Sequence, residues 1–141
     1  MIPIICVDKN RGVLFNNRRC SKDKLLNEWI LKYIGNSKLF IAPYSKELFT
    51  LAENIIIGDH YLDEAGENDY VFLEDGKMTE YMNKIDSFIL CQWNREYPSD
   101  IKLEDSIFKQ GWTSTVVDEI KGYSHEKITI EEWRRDVRTK K

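Results

Sequence analysis

Asp23 is the residue of this chain whose position in the sequence says most about chemistry. Leu25, Leu26, Trp29, Ile30, Tyr33 and Ile34 recur with the helical period, Gly35-Asn36 supplies a stop, and Ser21 is the expected N-cap. Asp23 stands three residues before Leu26 and seven before Ile30, so helical phase aligns it with the buried stripe and aims its carboxylate at the core or at a cavity beside it. A carboxylate so placed holds an amidine-like ring edge through paired hydrogen bonds, or moves a proton. The plainer reading is an acid in the first turn of a helix, favoured by the helix dipole. Arg18 and Arg19 lie just ahead, where they meet an anionic ligand near the helix N-terminus or stay solvated in a loop. Phe15, Trp29 and Ile30 are candidates for the apolar wall of such a site.

Other chemistries find less support. Cys6, Cys20 and Cys91 are odd in number and have no CxxC spacing, which argues against a disulfide framework and a zinc knuckle. Cys91 lies in an apolar run and reads as a packed thiol. His60 and His125 are far apart, so no histidine metal centre is expected, and Ser124-His125-Glu126 reads as turn chemistry rather than as part of a Ser/His/Asp triad. Neither GxGxxG nor GxxxxGK[ST] occurs among only seven glycines. The net charge of -3 is uneven. Residues 47–76 hold nine acids and no Lys or Arg, a stretch that repels phosphates, whereas Lys9, Arg11, Arg18, Arg19, Lys22 and Lys24 face only Asp23. Arg134, Arg135, Arg138, Lys140 and Lys141 form a basic tail without a recognition motif, so no duplex nucleic-acid partner is expected. No apolar run approaches the ~20 residues that cross a bilayer. The expectation is a cytoplasmic protein with no membrane partner.

The elements that must position Asp23 follow from the 141 residues, which suit a single domain over 1–141. Residues 2–7 are a continuous apolar run and predict a buried, central strand. A polar loop through Asn16-Asn17 leads to the helix. Strands are predicted over 38–42, 54–57, 69–74 and 86–93, with a short helix or turn over 45–51 and two helical turns over 77–84 that face Met78, Tyr81 and Met82 inward. Residues 94–105 are a polar excursion. Trp112 to Val117 and Lys127 to Trp133 alternate around Lys121-Gly122-Tyr123-Ser124 and predict a closing antiparallel hairpin, with Trp93, Trp112 and Trp133 as core or cross-strand aromatics. The fold class is therefore α/β, a mixed, mainly parallel sheet with a C-terminal antiparallel hairpin and a few flanking helices.

Ile4-Ile5-Cys6-Val7-Asp8-Lys9-Asn10-Arg11-Gly12, leading through an asparagine loop to the helix of Asp23, resembles dihydrofolate reductase. So do Asp69-Tyr70-Val71-Phe72-Leu73, a short helix and Ile85-Asp86-Ser87-Phe88-Ile89-Leu90, and the hairpin from Phe108 to Arg135. The resemblance implies a dihydrofolate-reductase-like sheet with Asp23 at the position of the acid that holds and helps protonate the pterin. It also places Cys91 where the family usually has a supporting threonine, and Arg18-Arg19 where it has proline and tryptophan. On the cofactor side, Ala42-Pro43-Tyr44-Ser45 replaces Gly-Arg-x-Thr and Glu74-Asp75-Gly76 replaces the Gly-Gly pair that the diphosphate approaches. The chain is thus expected to hold no NADPH in the family's manner, with repulsion and desolvation at the two carboxylates costing on the order of 1 kcal/mol or more each. The leading expectation is a shortened, non-catalytic relative with no cofactor. It would bind, sequester or sense a nucleotide-like or pterin-like ligand through Asp23, Arg18, Arg19, Phe15, Trp29 and Ile30, as in a bacterium or mobile element. Two alternatives stay open: an interaction protein whose acidic segment meets a basic protein partner, and a divergent NADPH-dependent oxidoreductase.

Overall fold

The computed structural model describes residues 1–49, 53–108 and 111–136. Strand β1 (Ile2–Val7) lies inside a seven-stranded sheet because its apolar run can be buried on both faces: Ile4, Ile5 and Val7 have no exposed surface. The later strands are β2 (Gly12–Phe15), β3 (Arg18–Arg19), β4 (Leu39–Ile41), β5 (Ile55–Ile57), β6 (Tyr70–Leu73), β7 (Ser87–Gln92), β8 (Ile101–Lys102), β9 (Trp112–Ile120) and β10 (Ile128–Arg135). The large sheet has the order β5-β4-β6-β1-β7-β10-β9. Pairings from β5 to β7 are parallel, with Ile4 beside Phe72 on one side and Ile89 on the other. The β10 strand then runs antiparallel to β7 and β9, so the hairpin closes the sheet as expected from the alternation.

Each face of the sheet carries its own apolar layer. Helix α1 (Lys24–Ile34) buries Leu26, Ile30 and Ile34 against Ile4, Ile41, Phe72, Ile89, Cys91 and Ile130. Each such side chain contributes about 1.5–3 kcal/mol by leaving water. The opposite face packs Ile5, Val7, Val71, Leu73 and Leu90 under the short helix α2 (Tyr61–Glu64), Met78 and Ile107. Phe88 stacks on Trp133, with ring centroids 5.8 Å apart, and meets Trp112 edge-on at 5.2 Å, so two of the sequence-flagged tryptophans are core aromatics of the hairpin.

Several local features differ from the sequence reading. Residues 13–15 form β2 rather than a loop. They turn into β3 through Asn16 and Asn17, both in the left-handed region at φ 52° and 62°, which joins Phe15 to Arg18 as a two-residue hairpin. The β8 strand, inside the supposed polar excursion, completes a small β3-β2-β8 sheet. The helix or turn expected over 45–51 and the helical turns expected over 77–84 are 3-10 segments, Pro43–Leu48 and Gly76–Lys84, and Leu51 lies outside the described residues. Arg138, Lys140 and Lys141 of the basic tail also lie outside them. Within the tail, Arg135 donates to the carbonyl oxygens of Met82 and Ile85, both at 2.7 Å. The helix N-cap is Asp23, not Ser21. Asp23 is extended, at φ -152° and ψ 121°, and its Oδ1 accepts from the Leu25 amide at 3.0 Å, while the Ser21 hydroxyl is turned to His125.

Candidate functional site

Asp23 is 2% exposed, and the turn between β9 and β10 folds down onto its carboxylate. Oδ1 accepts from the Leu25 amide at 3.0 Å and the Tyr123 amide at 2.8 Å; Oδ2 accepts from the Ser124 amide at 2.9 Å and sits 2.8 Å from His125 Nδ1. The approach is close because residue 122 is glycine: a Cβ there would lie 2.5 Å from Asp23 Oδ2. Burial alone would raise the carboxyl's pKa. The bonds from His125 and from the Tyr123, Ser124 and Leu25 amides outweigh burial and hold it well below the usual carboxylate range.

His125 is the second member of the cluster. It is 3% exposed, its ring stacks on Trp93 with centroids 4.5 Å apart, and its Nε2 lies 3.0 Å from Ser21 Oγ and 2.9 Å from Tyr97 Oη. An ionised Asp23 can only accept, so Nδ1 carries the proton toward it and Nε2 is turned to the two hydroxyls. Tyr97 is brought there by Asp8, which is buried: Oδ2 accepts from the Tyr97 amide at 3.0 Å, and Oδ1 accepts from Asn10 and Gly12 to build the turn after β1.

Arg19 organises the neighbouring ground. Its Nε and Nη2 donate to the two oxygens of Glu74 at 2.6 and 2.9 Å, and its Nη1 donates to Glu47 at 2.7 Å. Ser45 Oγ donates to Glu74 Oε1 at 2.7 Å, and the guanidinium lies over the Tyr44 ring at 4.3 Å. The Arg19 and Glu74 side chains are each 11% exposed. Glu74 is therefore compensated rather than a bare anion, and Asp75 turns away to accept from the Lys77 amide. One guanidinium is thus shared by the Glu47 and Glu74 carboxylates, and it ties the 42–45 segment to the 74–76 segment.

Between α1 and the carboxyl ends of β1 and β6 a cleft of about 350 Å³, counting its mouth, is lined by Cys6, Arg19, Ser21, Asn27, Phe72 and Trp93 among others. Crevices at the carboxyl ends of parallel strands are where α/β sheets commonly bind ligands. The space within it is narrow, with room for about one water. The thiols there are poor nucleophiles: a hydrogen bond with Cys91 and burial push Cys6 up, and burial with the nearby Asp8 and Asp100 charges pushes Cys20 up.

Of the residues singled out in the sequence, Arg19 lines this cleft and Asp23 sits behind it. Phe15 and Arg18 lie on the β2-β3 hairpin and, with Asn16, Cys20 and Pro98, line a shallow groove that shares Arg19 and Cys20 with the cleft mouth. Trp29 is half-buried against the core on the α1 side, stacking on Tyr33 at 4.8 Å and donating to Asp118 at 2.7 Å. Ile30 is wholly within the core. Sequence reasoning missed His125, Ser21 and Tyr97 as one cluster, since their separations of 28 to 104 residues carry no spacing signal. Among the described residues no helix is long and apolar enough to cross a membrane, and no group of three or more His, Cys, Asp or Glu is placed to hold a metal ion. No family model matches the chain, and no curated protein matches it.

Proposed function

We propose that the chain binds a small ligand, nucleotide-like or pterin-like, in the cleft between α1 and the carboxyl ends of β1 and β6, and that it does so without a hydride donor. The observation that carries this reading is the Arg19 clamp. The two stretches that the dihydrofolate reductase resemblance sets against a cofactor's diphosphate, 42–45 and 74–76, are joined to each other by Arg19, Glu74 and Ser45 at 2.6–2.9 Å, while the adjoining cleft stays open. Asp23 serves this cleft from behind. With its oxygens engaged by α1 and by the hairpin turn, it fixes the wall rather than gripping a ring edge. The ligand's inner group is small and its remainder lies over the groove, where the exposed Arg18 favours an anionic portion.

Native mass spectrometry of the protein purified from its own host tests this, with the Asn27→Trp variant, which fills the cleft, as the control. A non-covalent adduct on the wild type that is lost from the variant is the expected result. A wild type without adduct, or an adduct that survives Asn27→Trp, contradicts the reading.

A further inference from the structure

We propose that Ser21 and His125, oriented by Asp23, form an acyl-transfer centre acting on a small ester bound in the cleft. The proposal rests on the cleft as the ligand site and names the class of ligand that reacts there. Ser21 Oγ lies 3.0 Å from His125 Nε2, and His125 Nδ1 lies 2.8 Å from Asp23 Oδ2, the reach at which a hydroxyl, its base and the base's orienting group act together. Their exposure is divided in the way such chemistry requires. Ser21 lines the cleft, whereas His125 and Asp23 are 3% and 2% exposed behind it. The imidazole cannot swing away, because Trp93 stacks on one face and the carboxylate that holds Nδ1 is itself fixed by three amides. Asn27 lines the same cleft, and its side-chain amide is the donor assigned to the developing oxyanion in this proposal.

The step balances with water as the only co-reactant. Ser21 Oγ forms a bond to the carbonyl carbon, its proton passes to Nε2, and the carbonyl electron pair moves onto oxygen. Collapse breaks the bond to the leaving alkoxide, which departs with the Nε2 proton as an alcohol and leaves an ester on Ser21. Water repeats the sequence, giving its proton to Nε2. Ser21 leaves with that proton, and a carboxylic acid is released. Tyr97 is a positioning residue in this account: its hydroxyl, 2.9 Å from Nε2, competes with Ser21 for the single lone pair of that nitrogen.

The test uses the full chain with p-nitrophenyl acetate as probe. Peptide mapping locates the acetyl group, and nitrophenol release gives the rate. Acetylation confined to Ser21, a rate reduced about a hundredfold in Ser21→Ala, and a faster rate in Tyr97→Phe are the expected results. A purely structural hydroxyl cluster gives no rate increase on removing the tyrosine oxygen. Acetyl groups spread over lysines such as Lys22 and Lys24, at equal rates in wild type and Ser21→Ala, overturn the proposal. An unreactive Ser21 in a protein that still carries its native adduct overturns acyl transfer alone and leaves ligand binding standing.

Discussion

Asp23 shows how a buried charge becomes a pH-dependent part of the fold. In the unfolded chain its carboxyl titrates near about 3.9, whereas in the native state His125 and the surrounding amides hold it well below that value. In the acid range between those two values the unfolded state binds more protons than the native state. The stabilisation is therefore complete above about pH 5 and is lost as pH falls through the depressed native value. Urea midpoints measured at falling pH are expected to drop below about pH 4. Asp23→Asn should lower the neutral-pH stability by about 1–3 kcal/mol, since an amide NH2 in place of one carboxylate oxygen cannot accept from the donors that Asp23 now satisfies, and should flatten the acid limb. Gly122 is the steric counterpart. A Cβ at 122 meets Asp23 Oδ2 at 2.5 Å and Ile128 Cδ1 at 2.9 Å, so Gly122→Ala is expected to cost about 1–3 kcal/mol in chemical denaturation by pushing the turn off the carboxylate.

Among the elements, α1 and the β9-β10 hairpin are joined at Asp23, and the β2-β3 hairpin is joined to the ends of β4 and β6 at Arg19. The second junction is a nearly enclosed forked ion pair, with both partners 11% exposed, and such pairs are stronger than surface ones. A double-mutant cycle with Arg19→Met and Glu74→Gln should give a coupling energy of about 1–3 kcal/mol; a value near zero contradicts the clamp. The helix itself was plain in the sequence, because Leu26, Ile30 and Ile34 repeat with its period and are the residues buried. Its start was not. Ser21 and Asp23 are both good caps by type, and only the pull of His125 on the Ser21 hydroxyl, from across the hairpin, decides between them. Asp23 was singled out by a helical phase that it does not share, since it caps α1 in extended backbone, and the role of Ser124-His125 as its partner was hidden by 102 residues of intervening chain.

For the whole molecule, the order of strands and helices and the closing hairpin were legible because runs such as 2–7 and 87–92 carry the apolar patterns that buried strands need. What no pattern carried was charge compensation. Of the nine acids in the run 47–76, Glu47 and Glu74 are met by the single guanidinium of Arg19, positions 28 and 55 residues away. At the far edge, β9 is exposed along most of its length, and a bulge opposite Ile130 and Glu131, together with Asp118 and Glu119, interrupts the regular edge that another chain would pair with. By the dihydrofolate reductase resemblance, the Arg19 clamp occupies the ground that a dinucleotide would need. Amide NMR spectra recorded during titration with NADPH test this directly: the Ser45, Glu74 and Gly76 resonances are predicted to stay in place at millimolar cofactor. Saturable movement of those three signals would contradict it.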